Sequence, residues 1–185
     1  CDFIKDSCKE CNRKYECTGE NAAFCNHMKN ILVAKYGAAE GCLKESRIRH
    51  SMGVANFLFA YAKSHDWSKE ETEDLYLTGL LHDIGYIDNP KGTDHGRLGA
   101  EILKRNGLNA EICELISCHG RFIENPSRKQ ALLWLADLCV NRDGDYIGYQ
   151  KRYESIKERY KNDPERLFQV YRILEYLQIH FSEYR

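Results

Sequence analysis

Leu80-Leu81-His82-Asp83-Ile84-Gly85-Tyr86 is the stretch from which the rest of the chain can be read. Adjacent side chains on a helix point about 100° apart, so a histidine followed by an aspartate is a poor pair mid-helix. At a helix end the same divergence lets imidazole and carboxylate reach one point from two directions. Gly85 is then expected to let the chain turn away immediately. Neutral imidazole plus carboxylate is a common ligand set for Zn, Mn or Fe. The pair gains meaning from its company, because His50, His95, His119 and Asp137 each fall where a predicted helix would present them inward.

Working outward, a helix is expected from about Ser46 to Ser64 with His50, Val54, Phe57, Leu58 and Tyr61 on its inner stripe. Ser68-Lys69-Glu70-Glu71 is a capping box opening the helix that runs to His82-Asp83. The segment Tyr86–Thr93, with Asn89-Pro90 and Lys91-Gly92, favours a loop. Asp94 is expected to cap a helix closed by Gly107, carrying His95, Leu98, Gly99, Ile102 and Leu103 on one face. Asn109 caps a short helix in which Ile112, Leu115, Ile116 and His119 share a face. Ser127-Arg128-Lys129-Gln130 reads as a second capping box, opening a helix over Ala131–Asn141. Asp137 shares the inner face of that helix with Leu133 and Val140, and a bare carboxylate buried there would cost several kcal/mol. Two amphipathic helices follow, one over about Tyr149–Lys161 and one opening at Asp163-Pro164 with Leu167, Val170, Leu174 and Leu177 as its seam. That seam is expected to pack on the domain, with a homodimer contact left open. No strand pattern is visible, so the expected fold is all-α.

The composition agrees with a folded domain: 43% hydrophobic and 30% charged residues, with a formal net charge of −1. Such a balance advertises neither polymeric nucleic acid nor an anionic membrane as partner. No apolar run approaches the ~20 residues needed to cross a bilayer, and no signal-peptide pattern is visible. Nine cysteines, an odd number, suit a reducing cytoplasm better than a disulfide framework. Cys8-x-x-Cys11 with Cys17 and Cys25, or with Cys1 or His27 as substitutes, could bind zinc or an iron–sulfur cluster. Reduced thiols holding no metal are the equal alternative. A further helix is expected over residues 21–36, dividing the chain into a cysteine-rich segment (1–37) and a helical domain (38–185).

The ordered set of His50 in Arg-Ile-Arg-His-Ser-Met-Gly-Val-Ala, His82-Asp83 in an HDIG string and Asp137 in Leu-Ala-Asp-Leu resembles the HD-domain superfamily of metal-dependent phosphohydrolases. His95 in His-Gly-Arg-Leu-Gly-Ala and His119 in Cys-His-Gly look like the extra histidines of its six-ligand, two-metal branch, to which an HD-type diadenosine tetraphosphate hydrolase belongs. The resemblance covers roughly residues 45–142 and implies an HD-domain helical bundle. It implies that His50, His82, Asp83 and Asp137 hold one divalent ion and His95 and His119 a second, with Asp83 bridging. The expected ions are iron first, then manganese or zinc. A hydroxide activated by both would attack a phosphate ester or phosphoanhydride, of a nucleotide by preference. Arg97 is the first candidate for orienting the phosphate, beside Asp83 as the central catalytic group, with Lys91 and Arg121 behind it. Several relatives carry lysine three residues after the HD aspartate, whereas this chain has Tyr86. Either the tyrosine hydroxyl or Lys91 must then take over any contact that lysine makes. An HD-type di-iron oxygenase is the second reading and a nucleotide- or redox-sensing HD protein the third.

Overall fold

Four of the helices begin where a short polar side chain accepts one of their first amide groups. A computed structural model describes residues 45–87, 92 and 94–185 of the chain, all within one compact unit, Leu43–Arg185. Its elements are α1 (Glu45–Ser64), α2 (Lys69–Leu81), a 3-10 turn (Ile84–Ile87), α3 (His95–Arg105), α4 (Ala110–Cys118), α5 (Arg128–Cys139), α6 (Tyr149–Arg159), α7 (Pro164–His180) and a final 3-10 turn (Ser182–Tyr184). Among the described residues the only β pairing is an isolated bridge between Val140 and Tyr146, so the fold is all-α as expected. No helix there is long and apolar enough to cross a membrane. The cysteines at 8, 11, 17 and 25, the helix expected over 21–36 and Lys91 lie outside the described residues.

Ser68 accepts the amide of Glu71 while the Glu71 carboxylate takes the Ser68 amide, which completes the first capping box. Asn109 and Asp163 cap α4 and α7 through the amides of Glu111 and Arg166. Two expectations need correction. Ser127 does cap α5 through the Gln130 amide, but that helix spans Arg128–Cys139, and buried Gln130 turns inward between the Leu115 carbonyl and the Trp134 indole. Asp94 stands at the N-cap of α3 without capping it, because its carboxylate accepts from the Arg97 guanidinium.

The apolar stripes meet on α5, whose residues from Gln130 to Ala136 are all buried. This helix touches α1, α2, α4, α6 and α7, and Leu132, Leu133, Trp134 and Leu135 fill the centre with Val54, Leu58, Leu75 and Leu177. Of the α7 seam, Leu174 and Leu177 are buried while Leu167 and Val170 pack partly covered against the core. A second cluster joins α3 to α4 and to the turn Ile84–Ile87.

Gly85 acts differently from its expected part. It lies inside the 3-10 turn, and its φ is not in the left-handed region. Its missing side chain instead lets α3 approach. A Cβ there would overlap the His95 carbonyl oxygen and lie 2.5 Å from the Gly99 amide nitrogen and 2.8 Å from the His95 carbonyl carbon. The contact sets the first turn of α3, and so His95, against the residues that follow His82-Asp83.

Candidate metal centre

Four helix ends and one helix interior converge on a single cleft. His50 comes from within α1, His82 and Asp83 from the C-terminal end of α2, His95 from the first position of α3, His119 from the C-cap of α4 and Asp137 from the last turn of α5. His50, His82, Asp83 and His119 are at most 2% exposed. His95 and Asp137 line the opening, where the Asp137 side chain is 28% exposed.

One device recurs at all four histidines. The Nδ1 of His50 lies 3.1 Å from the Asn141 carbonyl, that of His82 2.7 Å from Gly79, that of His95 3.0 Å from Gly92, and that of His119 2.6 Å from Ile116. A carbonyl oxygen only accepts, so each Nδ1 carries the proton and donates it. In its neutral form each ring then keeps a lone pair on Nε2, turned toward Asp83 or Asp137.

Those lone pairs face groups that cannot satisfy them. The Nε2 of His82 is buried with no hydrogen-bond partner, 3.4 Å from Asp83 Oδ2 and 3.9 Å from Asp137 Oδ1. The Nε2 atoms of His95 and His119 stand 2.8 Å apart, and His50 Nε2 is 2.9 Å from Asp137 Oδ1. Acceptor against acceptor at such distances is repulsive unless a proton or a cation lies between them. The donors sort into two groups that could each hold an ion: His50, His82 and Asp83, and Asp83, His95 and His119. Asp137 adjoins the first through His50 and His82. Asp83 belongs to both, with Oδ1 3.4 Å from His95 Nε2 and 3.5 Å from His119 Nε2. The donor set therefore fits divalent cations.

The charge balance at His82, His95, Asp83 and Asp137 agrees with this chemistry, while the Asp83 carboxylate raises the pKa of His119 against the effect of its burial. Burial pushes His82 and His95 each down to about 4, against the pull of Asp83, so both rings are neutral near pH 7. Burial opposes the ionised form of Asp83, yet the surrounding imidazoles and the Arg47 guanidinium hold it well below the usual carboxylate range. Asp137 is likewise held low against its burial, chiefly by the neighbouring imidazoles of His50 and His82.

The basic residues of the cleft are not those expected. Arg97 is half-exposed, bound on its own helix by Asp94 and Glu101, and borders a separate depression with Lys104 and Leu108. Arg121 is exposed and reaches toward the Ser117 carbonyl, 3.5 Å away, outside the cleft lining. In their place Arg47, Arg152, Arg159 and Arg166 line the cleft, together with Tyr86 and Tyr160. Arg47 donates to Asp83 Oδ2 at 2.6 Å and lies 3.8 Å from the centroid of the Tyr86 ring. Tyr86 in turn stacks on His95, with centroids 4.2 Å apart. The tyrosine thus serves as a platform for a guanidinium, a role its sequence position did not disclose. Arg47 could have been found from its spacing three residues before His50, which puts both on one face of α1. For Arg152 and Arg159 the only sequence signal is their shared face with Ile156 on α6.

The family model described as the HD domain matches residues 47–172, more than half of the chain. Ribonuclease Y of Fervidobacterium nodosum is 35% identical over 92 residues, 45% of this chain and 18% of that protein. An uncharacterized protein, MJ0778, of Methanocaldococcus jannaschii is 31% identical over 77 residues, 40% of this chain and 45% of that protein. The chain therefore matches less than half the length of either relative.

Proposed function

Because this chain belongs to the HD-domain family, we propose that it is a two-metal phosphohydrolase acting on a phosphate ester or phosphoanhydride, by preference of a nucleotide. The observation that carries the reading is the Asp83 carboxylate, shared between two groups of imidazoles, His50 with His82 and His95 with His119. His50, His82, Asp83 and Asp137 would hold one ion, and His95, His119 and Asp83 the other. Iron is the first expectation, then manganese or zinc. When bound, such a pair supplies Lewis acidity, lowering the pKa of water and neutralising charge on a phosphoryl oxygen. The main-chain carbonyls fix the four imidazoles, so the donor atoms are in place before substrate arrives. Arg47, on its Tyr86 platform, offers a planar fork to a phosphoryl oxygen beside Asp83. No side chain is asked to act as nucleophile.

All six donors of the HDIG two-metal branch are present, which supports placing the chain beside enzymes of the diadenosine tetraphosphate type. The relative named a ribonuclease keeps phosphodiesters among the substrates to be tried. The decisive experiment is elemental analysis of protein purified without added metal, joined to an anaerobic phosphate-release screen over nucleotides. Two ions per chain and anaerobic turnover, both abolished in Asp83→Ala, are the expected results. Full turnover in Asp83→Ala refutes the shared-carboxylate reading. Substrate consumption that requires dioxygen transfers the chain to the di-iron oxygenases.

A further inference from the structure

The wall of the cleft contributed by α6 holds a charge that the proposed hydrolysis does not use. Arg152 is only 5% exposed, yet its Nε has no hydrogen-bond partner. Among the described residues no carboxylate pairs with its guanidinium. Arg159 lies seven residues further along, on the same face of α6, and borders the same cleft with Ile156 between them. The other two arginines of the lining are engaged. Arg47 is bound by Asp83, and Arg166 donates to the Gly92 carbonyl at 2.6 Å while stacked 4.5 Å over Tyr160.

A desolvated guanidinium without a counter-ion is among the costliest groups a helix can bury. The environment makes the cost larger. Burial lowers the Arg152 pKa, and Arg159, Arg47 and Arg142 repel it, with Asp137 alone acting in the opposite sense. A solvated surface charge would relieve this by turning outward, but Arg152 stays inside the lining. The arrangement is what an anion-binding wall looks like before the anion arrives.

We propose that Arg152, assisted by Arg159, is a station for a second phosphate group, so that the substrate carries a chain of phosphates and not a single one. The inference rests on the hydrolase reading above, because the first phosphate is the one placed against Asp83 and Arg47. The guanidinium fork matches the oxygens of a phosphate two at a time, and α6 presents that fork from a different element than the imidazoles. A substrate with one phosphate would satisfy the Asp83 side of the cleft and leave Arg152 uncompensated. A phosphoanhydride chain would neutralise both.

The test is titration calorimetry of the full chain as purified, with inorganic tripolyphosphate and inorganic phosphate as probes, on the wild type, Arg152→Gln and Arg159→Gln. Loss of a charge-assisted contact at Arg152 should weaken tripolyphosphate binding about 10- to 100-fold. The affinity for inorganic phosphate should fall far less. Equal losses for both probes would make Arg152 part of the reacting-phosphate site, and no loss would remove it from binding altogether; either overturns the proposal. Should Arg152→Gln fail to fold, as judged by its thermal melt, Arg159→Gln carries the same expectation and the same refutation. The two ideas fail separately. Arginine-dependent tripolyphosphate binding without phosphate release from any nucleotide sinks the hydrolase and keeps the station. Turnover with equal losses for both probes does the reverse.

Discussion

Gly85→Ala is the substitution in which fold and site can be tested together. The added Cβ would meet three main-chain atoms of α3: the His95 carbonyl oxygen, the Gly99 nitrogen at 2.5 Å and the His95 carbonyl carbon at 2.8 Å. Real Cβ atoms essentially never approach closer than 3.0 Å, and no flexible side chain is present to yield. The first turn of α3 must therefore retreat as a body, which puts the cost at the upper end of overpacking, about 3 kcal/mol. For a domain of this size that corresponds to a fall in Tm of about 10 °C. The melt should be recorded with a chelator present, so that only packing is read. Metal per chain, measured separately, should drop because His95 and its partner His119 no longer meet the same point. A variant that loses less than about 1 kcal/mol and retains both ions would show that close approach of α3 to the turn is not what positions the centre.

His119→Ala should lose the second ion while the fold survives; unchanged metal content by elemental analysis would reduce the centre to one ion. Arg47→Ala should lower kcat/KM about 10- to 100-fold at constant metal load, and a normal value would remove Arg47 from phosphate binding. Arg97→Ala should change neither turnover nor stability by more than about 0.5 kcal/mol, because its partners are exposed neighbours on its own helix; a large kinetic defect would return it to the site. Replacing Cys8 and Cys11 together should lower metal per chain if the N-terminal cysteines hold zinc or a cluster, and no drop disposes of that idea.

Much of the architecture was legible because it is local. Ser68 with Glu71, Asn109 with Glu111 and Asp163 ahead of Pro164 announce helix starts by chemistry that acts within three residues. The six donors were legible because each is a polar residue at the end of an apolar stripe or embedded in one. What escaped depends on long side chains and on tertiary approach. The Asp94–Arg97–Glu101 spacing already favours ion pairs along one helix, and that signal outweighs proximity to His95. Arg152 and Arg159 read as an ordinary solvated face because nothing in their neighbours reveals that α6 closes over the cleft. Gln130 fits a capping box by spacing, but burial against Trp134 turns it inward.

Each imidazole is clamped by a peptide oxygen, and for His82 and His119 that oxygen belongs to the last turn of the helix the ring terminates. Fraying of α2 or α4 by a single turn would therefore untie a donor from its anchor at the same moment. For an ion held there, helix unravelling and escape would be one event, so its residence time should report how tightly those two termini are wound.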